Sequence, residues 1–174
     1  MSAGPSAAAP FLEVERVTKQ FGGLTALDAV SFVVRKGEVT GLIGPNGAGK
    51  TTLFNVISGF VPPTSGRVAF QGEAVTGLLP HAIARRGLAR TFQIVRPFPG
   101  LSVQENLAVG GLSNRVFDTG RELAGALAAA EQVARRVGLL PWMERQATTL
   151  PHGLLKRLEI GRAIMMHPSL LLLD

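Results

Sequence analysis

Apolar residues change their spacing several times along the chain, and each change marks an element. Phe11 to Val17 and Val30 to Val34 are rich in Val, Phe and Leu and end at turn residues, which predicts two strands with a turn at Phe21-Gly22-Gly23 between them. Lys36-Gly37 opens a third apolar run, Val39 to Ile43, predicted as a strand that leads into a glycine-rich loop from Gly44 to Gly49. Leu53, Val56, Ile57 and Phe60 then recur at helical spacing, with Gly59 placed to stop the helix. The order is strand, glycine-rich loop, helix. Val61-Pro62-Pro63-Thr64-Ser65-Gly66 reads as a turn and Val68 to Phe70 as a short strand closed by Gly72. A helix over His81 to Arg86 and a strand over Leu88 to Phe92, ending at Gln93, complete this half.

Beyond Gln93 the pattern becomes helical. Two S/T-x-x-E boxes mark helix starts, Ser102 with Glu105 and Thr119 with Glu122. After the second, Leu123, Leu127, Ala130, Val133, Ala134 and Val137 fall on one face, and Glu131 and Arg135 form a supporting i,i+4 pair. Leu154 to Met166 is a further helix ended by Pro168. Four leucines and one carboxylate close the chain at Ser169 to Asp174, which suits a strand buried on both faces. The whole is an α/β chain with a helical insertion.

Composition narrows the class. With 174 residues, 46% of them hydrophobic and only 17% charged, the chain can bury a sizeable core and is not disordered. It has no cysteine, which excludes disulfides and cysteine metal sites and is consistent with a reducing compartment. Met1 to Pro10 has neither a basic residue nor an apolar run, so it is read as a mobile tail rather than a secretory signal. No apolar stretch approaches the ~20 residues that span a bilayer. The net charge of +6 comes from scattered cations such as Arg85-Arg86, Arg135-Arg136 and Lys156-Arg157. No stripe of arginine interleaved with aromatics accompanies them, so a solvated surface is expected and no nucleic-acid partner.

The chemistry is carried by Gly44-Pro45-Asn46-Gly47-Ala48-Gly49-Lys50-Thr51, a full match to G-x-x-x-x-G-K-[ST], followed by Thr52. Backbone N–H groups wrap a triphosphate only where the chain turns with positive φ and no Cβ intrudes, hence the glycines. The helix that follows aims its partial positive end at the phosphates. Lys50 supplies a cation for the β and γ oxygens, and the Thr51 hydroxyl is a Mg²⁺ ligand. The cofactors expected are ATP, with GTP as the other nucleotide that this loop admits, and Mg²⁺.

From Phe11 to Asp174 the chain resembles the ATP-binding cassette (ABC) ATPases, because several motifs occur in the family's order. The resemblance implies a P-loop NTPase fold: a RecA-like core with an N-terminal antiparallel β subdomain and a helical subdomain inserted at about 94–166, incomplete at the C-terminus. Phe21 stands where the family places an aromatic that stacks on adenine, unless it is simply an apolar turn residue. Gln93, in Arg90-Thr91-Phe92-Gln93, is similar to the Q-loop glutamine that reaches Mg²⁺ and the attacking water. Arg96 to Leu107 resembles the surface that faces a membrane subunit, where Phe98 between two prolines is either an apolar knob for that partner or local packing. Leu150-Pro151-His152-Gly153-Leu154 occupies the place of the Leu-Ser-Gly-Gly-Gln signature that clamps ATP across a dimer, and Lys156-Arg157-Leu158-Glu159-Ile160-Gly161-Arg162-Ala163 supports that alignment. Pro151 lacks the hydroxyl and the N–H of the usual serine, which leaves backbone amides, the helix dipole and His152 as donors. Leu170 to Asp174 resembles the Walker B strand, with Asp174 opposite Thr51 across Mg²⁺.

Within the family the nearest likeness is the ATP-binding subunit of branched-chain amino-acid importers, carried by Asn46 to Asn55, Ile57-Ser58-Gly59-Phe60, Arg90-Thr91-Phe92-Gln93 and the Leu-Pro-His-Gly-Leu variant. The partners implied are membrane permease subunits, a second ATP-binding subunit (the same or different) and, indirectly, a solute-binding protein, with the chain peripheral on the cytoplasmic side. Two rival readings are a soluble ABC-type ATPase acting on ribosomes or DNA and a nucleotide-binding chain without hydrolysis. In the family a glutamate directly follows the Walker B aspartate, and a later histidine contacts the γ-phosphate. Residues 1–174 alone are therefore expected to be poorly soluble and without ATPase turnover.

Overall fold

The computed structural model describes residues 10–112 and 123–174, in two compact units, one ending at Ile83 and one running from Ala84 to Asp174. The Thr119–Glu122 box and all but Pro10 of the expected tail lie outside the described residues.

The first unit is built on a four-stranded antiparallel sheet. β1 (Leu12–Phe21) and β2 (Leu24–Val34) form a hairpin, and β3 (Ser65–Phe70) and β4 (Glu73–Ala74) extend the sheet in the order β2-β1-β3-β4. Strict alternation in β1 would send Leu12, Val14 and Arg16 to the same face. A bulge prevents this: Arg16 turns to φ 47°, the register shifts between Val14 and Val17, and Val17 becomes buried in its place. The irregularity is held by side chains, since Arg16 N–H donates to Ser31 Oγ at 2.8 Å and Ala29 N–H to Thr18 Oγ1 at 3.0 Å. The inward face joins Leu12, Val14, Val17, Val68 and Phe70, and the Phe11 ring meets Phe70 edge-on at 5.3 Å.

The expected strand at Val39 to Ile43 does not form. Among the described residues no strand pairs with it, and Val39 and Ile43 are 102% and 94% exposed. β-propensity cannot close a ladder without a neighbour, so this apolar run is left without regular structure and exposed. α1 (Lys50–Ile57) follows the glycine-rich loop and buries Leu53, Val56 and Ile57. Gly59, at φ 77°, ends it as expected: Phe60 N–H reaches Asn55 O and Gly59 N–H reaches Val56 O, a Schellman closure. α2 (Pro80–Arg85) comes next along the chain.

The second unit pairs β5 (Leu88–Arg90) with β6 (Leu170–Leu172) in parallel, both shorter than the runs from which they were expected. β6 is not buried on both faces: Leu172 is buried but Leu170 and Leu171 are half-buried, because β5 is the one strand bonded to β6 among the described residues. The rest of the unit is helical: α3 (Val103–Gly111), α4 (Leu123–Val137) and α5 (His152–Met165), with short 3₁₀ turns at Leu140–Trp142 and Ala147–Thr149. α3 opens on the expected capping box, in which Ser102 Oγ accepts from Glu105 N–H and Glu105 accepts from Ser102 N–H. That second bond holds the Glu105 carboxyl below its ordinary range. Leu107, Ala130, Ala134, Leu139, Leu158 and Met165 form the core between these helices. α3 and α5 touch backbone to backbone, since a Cβ on Gly110 would lie 2.4 Å from the Arg162 carbonyl oxygen.

Candidate functional site

The loop Gly44–Gly49 is shaped by backbone freedom and one cation. Gly47 and Gly49 both adopt φ 83°, and Gly49 is the N-cap of α1. At Gly49 an added Cβ would sit 2.4 Å from Ala26 O and 3.0 Å from Leu27 Cδ2, so the loop lies tightly against β2. Ala48 N–H closes a turn onto Pro45 O at 3.2 Å. Lys50 folds back over this turn, its Nζ donating to Gly44 O and Pro45 O at 2.7 Å each. α1 has no side-chain cap and no acidic residue in its first turn, so its own first turn carries no anion to offset the positive end of its dipole. Asn46, Thr51 and Thr52 fall within the same turn and the start of the helix.

This arrangement fits a polyphosphate. A concave glycine backbone, a helix N-terminus without an anionic cap and an ammonium held, among the described residues, by two carbonyls are what such an anion needs. The oxygen donors Thr51, Gln93 and Asp174 are of the type that Mg²⁺ selects. Among the described residues no group of three or more His, Asp or Glu could act as an all-protein metal cage. Mg²⁺ commonly binds through one or two protein oxygens plus substrate phosphates, which needs no such cage.

Phe21 ends β1, faces Leu24 across the hairpin, and is 48% exposed, with Lys19 Nζ 4.9 Å above its ring. The ring is therefore available for stacking as well as being a turn residue.

In the second unit Asp174 follows β6, and its carboxylate is paired with Arg90 at 2.7 Å, with both side chains under a tenth exposed. Asp174 N–H donates to Thr91 Oγ1 at 3.1 Å, so the aspartate is fixed through its backbone as well. Gln93 is exposed just past β5, and its backbone is held from α5. Lys156 Nζ donates to Phe92 O at 2.9 Å and Gln93 O at 3.0 Å, and Phe92 N–H donates to the buried carboxylate of Glu159. One turn further along α5, Arg162 donates to Arg96 O at 3.0 Å and lies 4.4 Å over the Phe98 ring. Burial pulls the Arg162 guanidinium below its ordinary pKa, and Glu159 opposes that shift. Phe98 is thus both packed and 39% exposed. Its loop is tied down by the fully buried Asn106, whose side chain accepts from Phe98 N–H and donates to the carbonyls of Phe98, Leu101 and Ser102.

The signature-like segment lies at the start of α5. Leu150 is buried, Pro151 is the N-cap, and His152 and Gly153 are exposed in the first turn, with Leu154 half-buried. No side chain caps this helix and no acidic residue sits in its first turn. A Cβ on Gly153 would meet nothing within 4 Å. His152 and Gly153 N–H have no intrahelical acceptor at this end, whereas Leu154 N–H already bonds Pro151 O at 2.9 Å.

Sequence reasoning did not find Arg90, Asn106, Lys156, Glu159 or Arg162 as functional candidates. One signal was present: a carboxylate between Leu158 and Ile160, with cations three residues to either side, marks a charged strip on an otherwise apolar helix.

No helix among the described residues is long and apolar enough to cross a membrane. Residues 27–174 match the ABC transporter family. The chain is 42% identical to the high-affinity branched-chain amino acid transport ATP-binding protein BraF of Pseudomonas aeruginosa, over 95% of its own length and 69% of the relative's. Two solved structures resemble it at 35% identity. One is a nucleotide-free ATP-binding cassette from an ABC transporter, with TM-score 0.80 over 95% of this chain and 69% of that one. The other is the ADP conformation of an ABC transporter's ATP-binding cassette, MJ1267, with TM-score 0.78 over 94% and 68%. The fold is thus α/β of the P-loop NTPase class, and the chain belongs to the ABC transporter family, among its ATP-binding subunits.

Proposed function

We propose that the protein is the ATP-binding subunit of an importer for branched-chain amino acids, and that 11–174 contribute its ABC ATP-binding domain, with a helical subdomain at about 94–166. The observation that carries this is the loop Gly44 to Thr51. It presents positive-φ glycines, an uncapped helix end and a folded-back lysine, in a chain 42% identical to BraF. In this reading Lys50 leaves the Gly44 and Pro45 carbonyls for the β and γ oxygens of ATP, and the amides of Asn46 to Thr52 surround the phosphates. Thr51, Gln93 and Asp174 would hold Mg²⁺, which when bound neutralises charge on the transferring phosphoryl group. Gln93 places the attacking water, and Phe21 stacks on adenine. Leu150 to Leu154, through the amides of the α5 first turn and His152, take the γ-phosphate of the nucleotide held by a second ATP-binding subunit. The partners are a membrane permease, to which the subunit is peripheral on the cytoplasmic side, and, through that permease, a solute-binding protein.

The test is equilibrium binding of Mg·ATP to the intact protein and its Lys50→Ala and Thr51→Ala variants. Loss of one or two charge-assisted hydrogen bonds, each worth about 1.5–3 kcal/mol, corresponds to an affinity loss of at least about tenfold. Variants that hold Mg·ATP as tightly as the parent would refute the reading.

A further inference from the structure

We propose that Lys156, Glu159 and Arg162 are positioning residues for Gln93: they clamp the backbone from Phe92 to Arg96 onto α5, the helix that the signature-like segment opens. The inference rests on the ATPase reading above and adds to it a link within one chain, from the segment that touches the nucleotide across the dimer to the glutamine that places water.

The clamp grips the chain on both sides of the Phe92 Cα. Its N-terminal side is held by Phe92 N–H on Glu159, and its C-terminal side by Lys156 Nζ on the Phe92 and Gln93 carbonyls. Arg162 holds Arg96 O further along. None of these bonds belongs to a sheet or helix ladder. β5 ends at Arg90, and beyond Thr91 N–H, which still bonds Leu172 O, the segment takes its direction from α5 side chains.

The chemistry of Glu159 argues that the arrangement serves more than packing. This residue is 9% exposed, and its second oxygen has no hydrogen-bond partner among the described residues, with Lys156 Nζ 3.7 Å away. A buried carboxylate is costly, and an apolar residue would pack here with less penalty. What the carboxylate supplies is direction: it accepts from one amide, orients the ammonium beside it, and so fixes where the Gln93 Cα sits. The Gln93 side chain is exposed, so the clamped backbone is what sets the point from which it reaches out. Misplacement of a catalytic group by about 1 Å can cost on the order of a hundredfold in rate. Any tilt of α5 therefore carries Gln93 with it.

The experiment uses the intact protein in its membrane transporter and reads Mg·ATP affinity, kcat and KM. Lys156 is one-third exposed, so Lys156→Met leaves the fold in place, and it serves as the primary variant beside Glu159→Gln. The expected result for Lys156→Met is a kcat loss of roughly tenfold or more with nucleotide affinity within about twofold of the parent, restored in large part by Lys156→Arg. On a Gln93→Ala background, Lys156→Met should cost nothing further, because the residue acts through Gln93. Amide exchange at Phe92 should accelerate in Glu159→Gln. An unchanged kcat in Lys156→Met, or losses that multiply with Gln93→Ala, would overturn the inference. A parent protein that hydrolyses ATP alongside a Lys156→Met variant of full activity sinks the clamp alone. A parent whose ATP affinity is indifferent to Lys50→Ala sinks the ATPase reading beneath it.

Discussion

Gly49 and Gly47 share one backbone angle, φ 83°, but differ in what surrounds them, and the pair separates two causes that one substitution would mix. At Gly47 a new Cβ meets nothing within 4 Å, so Gly47→Ala bears only the left-handed conformation, about 1–2 kcal/mol. At Gly49 the same angle is joined by a Cβ 2.4 Å from the Ala26 carbonyl oxygen and 3.0 Å from Leu27 Cδ2. The oxygen belongs to the backbone of β2 and cannot rotate away, so overpacking adds about 1–3 kcal/mol. Gly49→Ala is therefore expected to lose about 2–5 kcal/mol in all, against about 1–2 for Gly47→Ala. Urea unfolding of the intact protein without nucleotide gives the two stabilities, and equilibrium Mg·ATP binding shows whether strain at Gly49 is relieved by lifting the loop off β2. If both variants lose the same stability and the same affinity, the close approach of loop and strand is refuted.

Arg90→Met should destabilise the intact protein by about 3–5 kcal/mol in denaturant unfolding, because it removes the buried cation paired with the Asp174 carboxylate, and Arg90→Met with Asp174→Asn should recover part of that loss. Asn106→Leu should cost about 1–3 kcal/mol for the backbone groups it leaves unpaired, with faster amide exchange at Phe98 as the local sign. Gly153→Ala meets open space inside a helix, so its thermal stability should equal or exceed the parent's by about 0.5–1 kcal/mol. Any loss of ATP-driven dimerisation in that variant would then report contact across the dimer, and undiminished dimerisation in both Gly153→Ala and His152→Ala would refute the donor role of the α5 first turn.

What the sequence disclosed follows the range of the forces involved. The Ser102–Glu105 box, the Gly59 stop and the Phe21-Gly22-Gly23 turn are written within a few residues, and all three form. The glycine-rich loop is equally local, and its positive-φ positions fall where the motif places them. Val39 to Ile43 misled because a strand is a relation between segments: its apolar residues were read correctly, but no neighbouring strand bonds to them among the described residues. The bulge at Arg16 left no mark in the apolar pattern, since Val17 looks like a plain continuation of β1. Arg90 and Asp174 lie 84 residues apart, and neither residue announces the other. Glu159 was visible as a charge in an apolar helix, yet its partner is a backbone amide, which has no letter in the sequence.

The meeting of Gly110 with the Arg162 carbonyl has a mechanical consequence. Two helices separated by side chains slip past each other as rotamers readjust, but a backbone in contact with a backbone has no such play. α3 and α5 therefore behave as meshed gears rather than greased rods. A push on the Phe98 loop, which Asn106 ties to α3, arrives at the His152 end of α5 undiminished by slack, and a larger residue at 110 would prise the teeth apart.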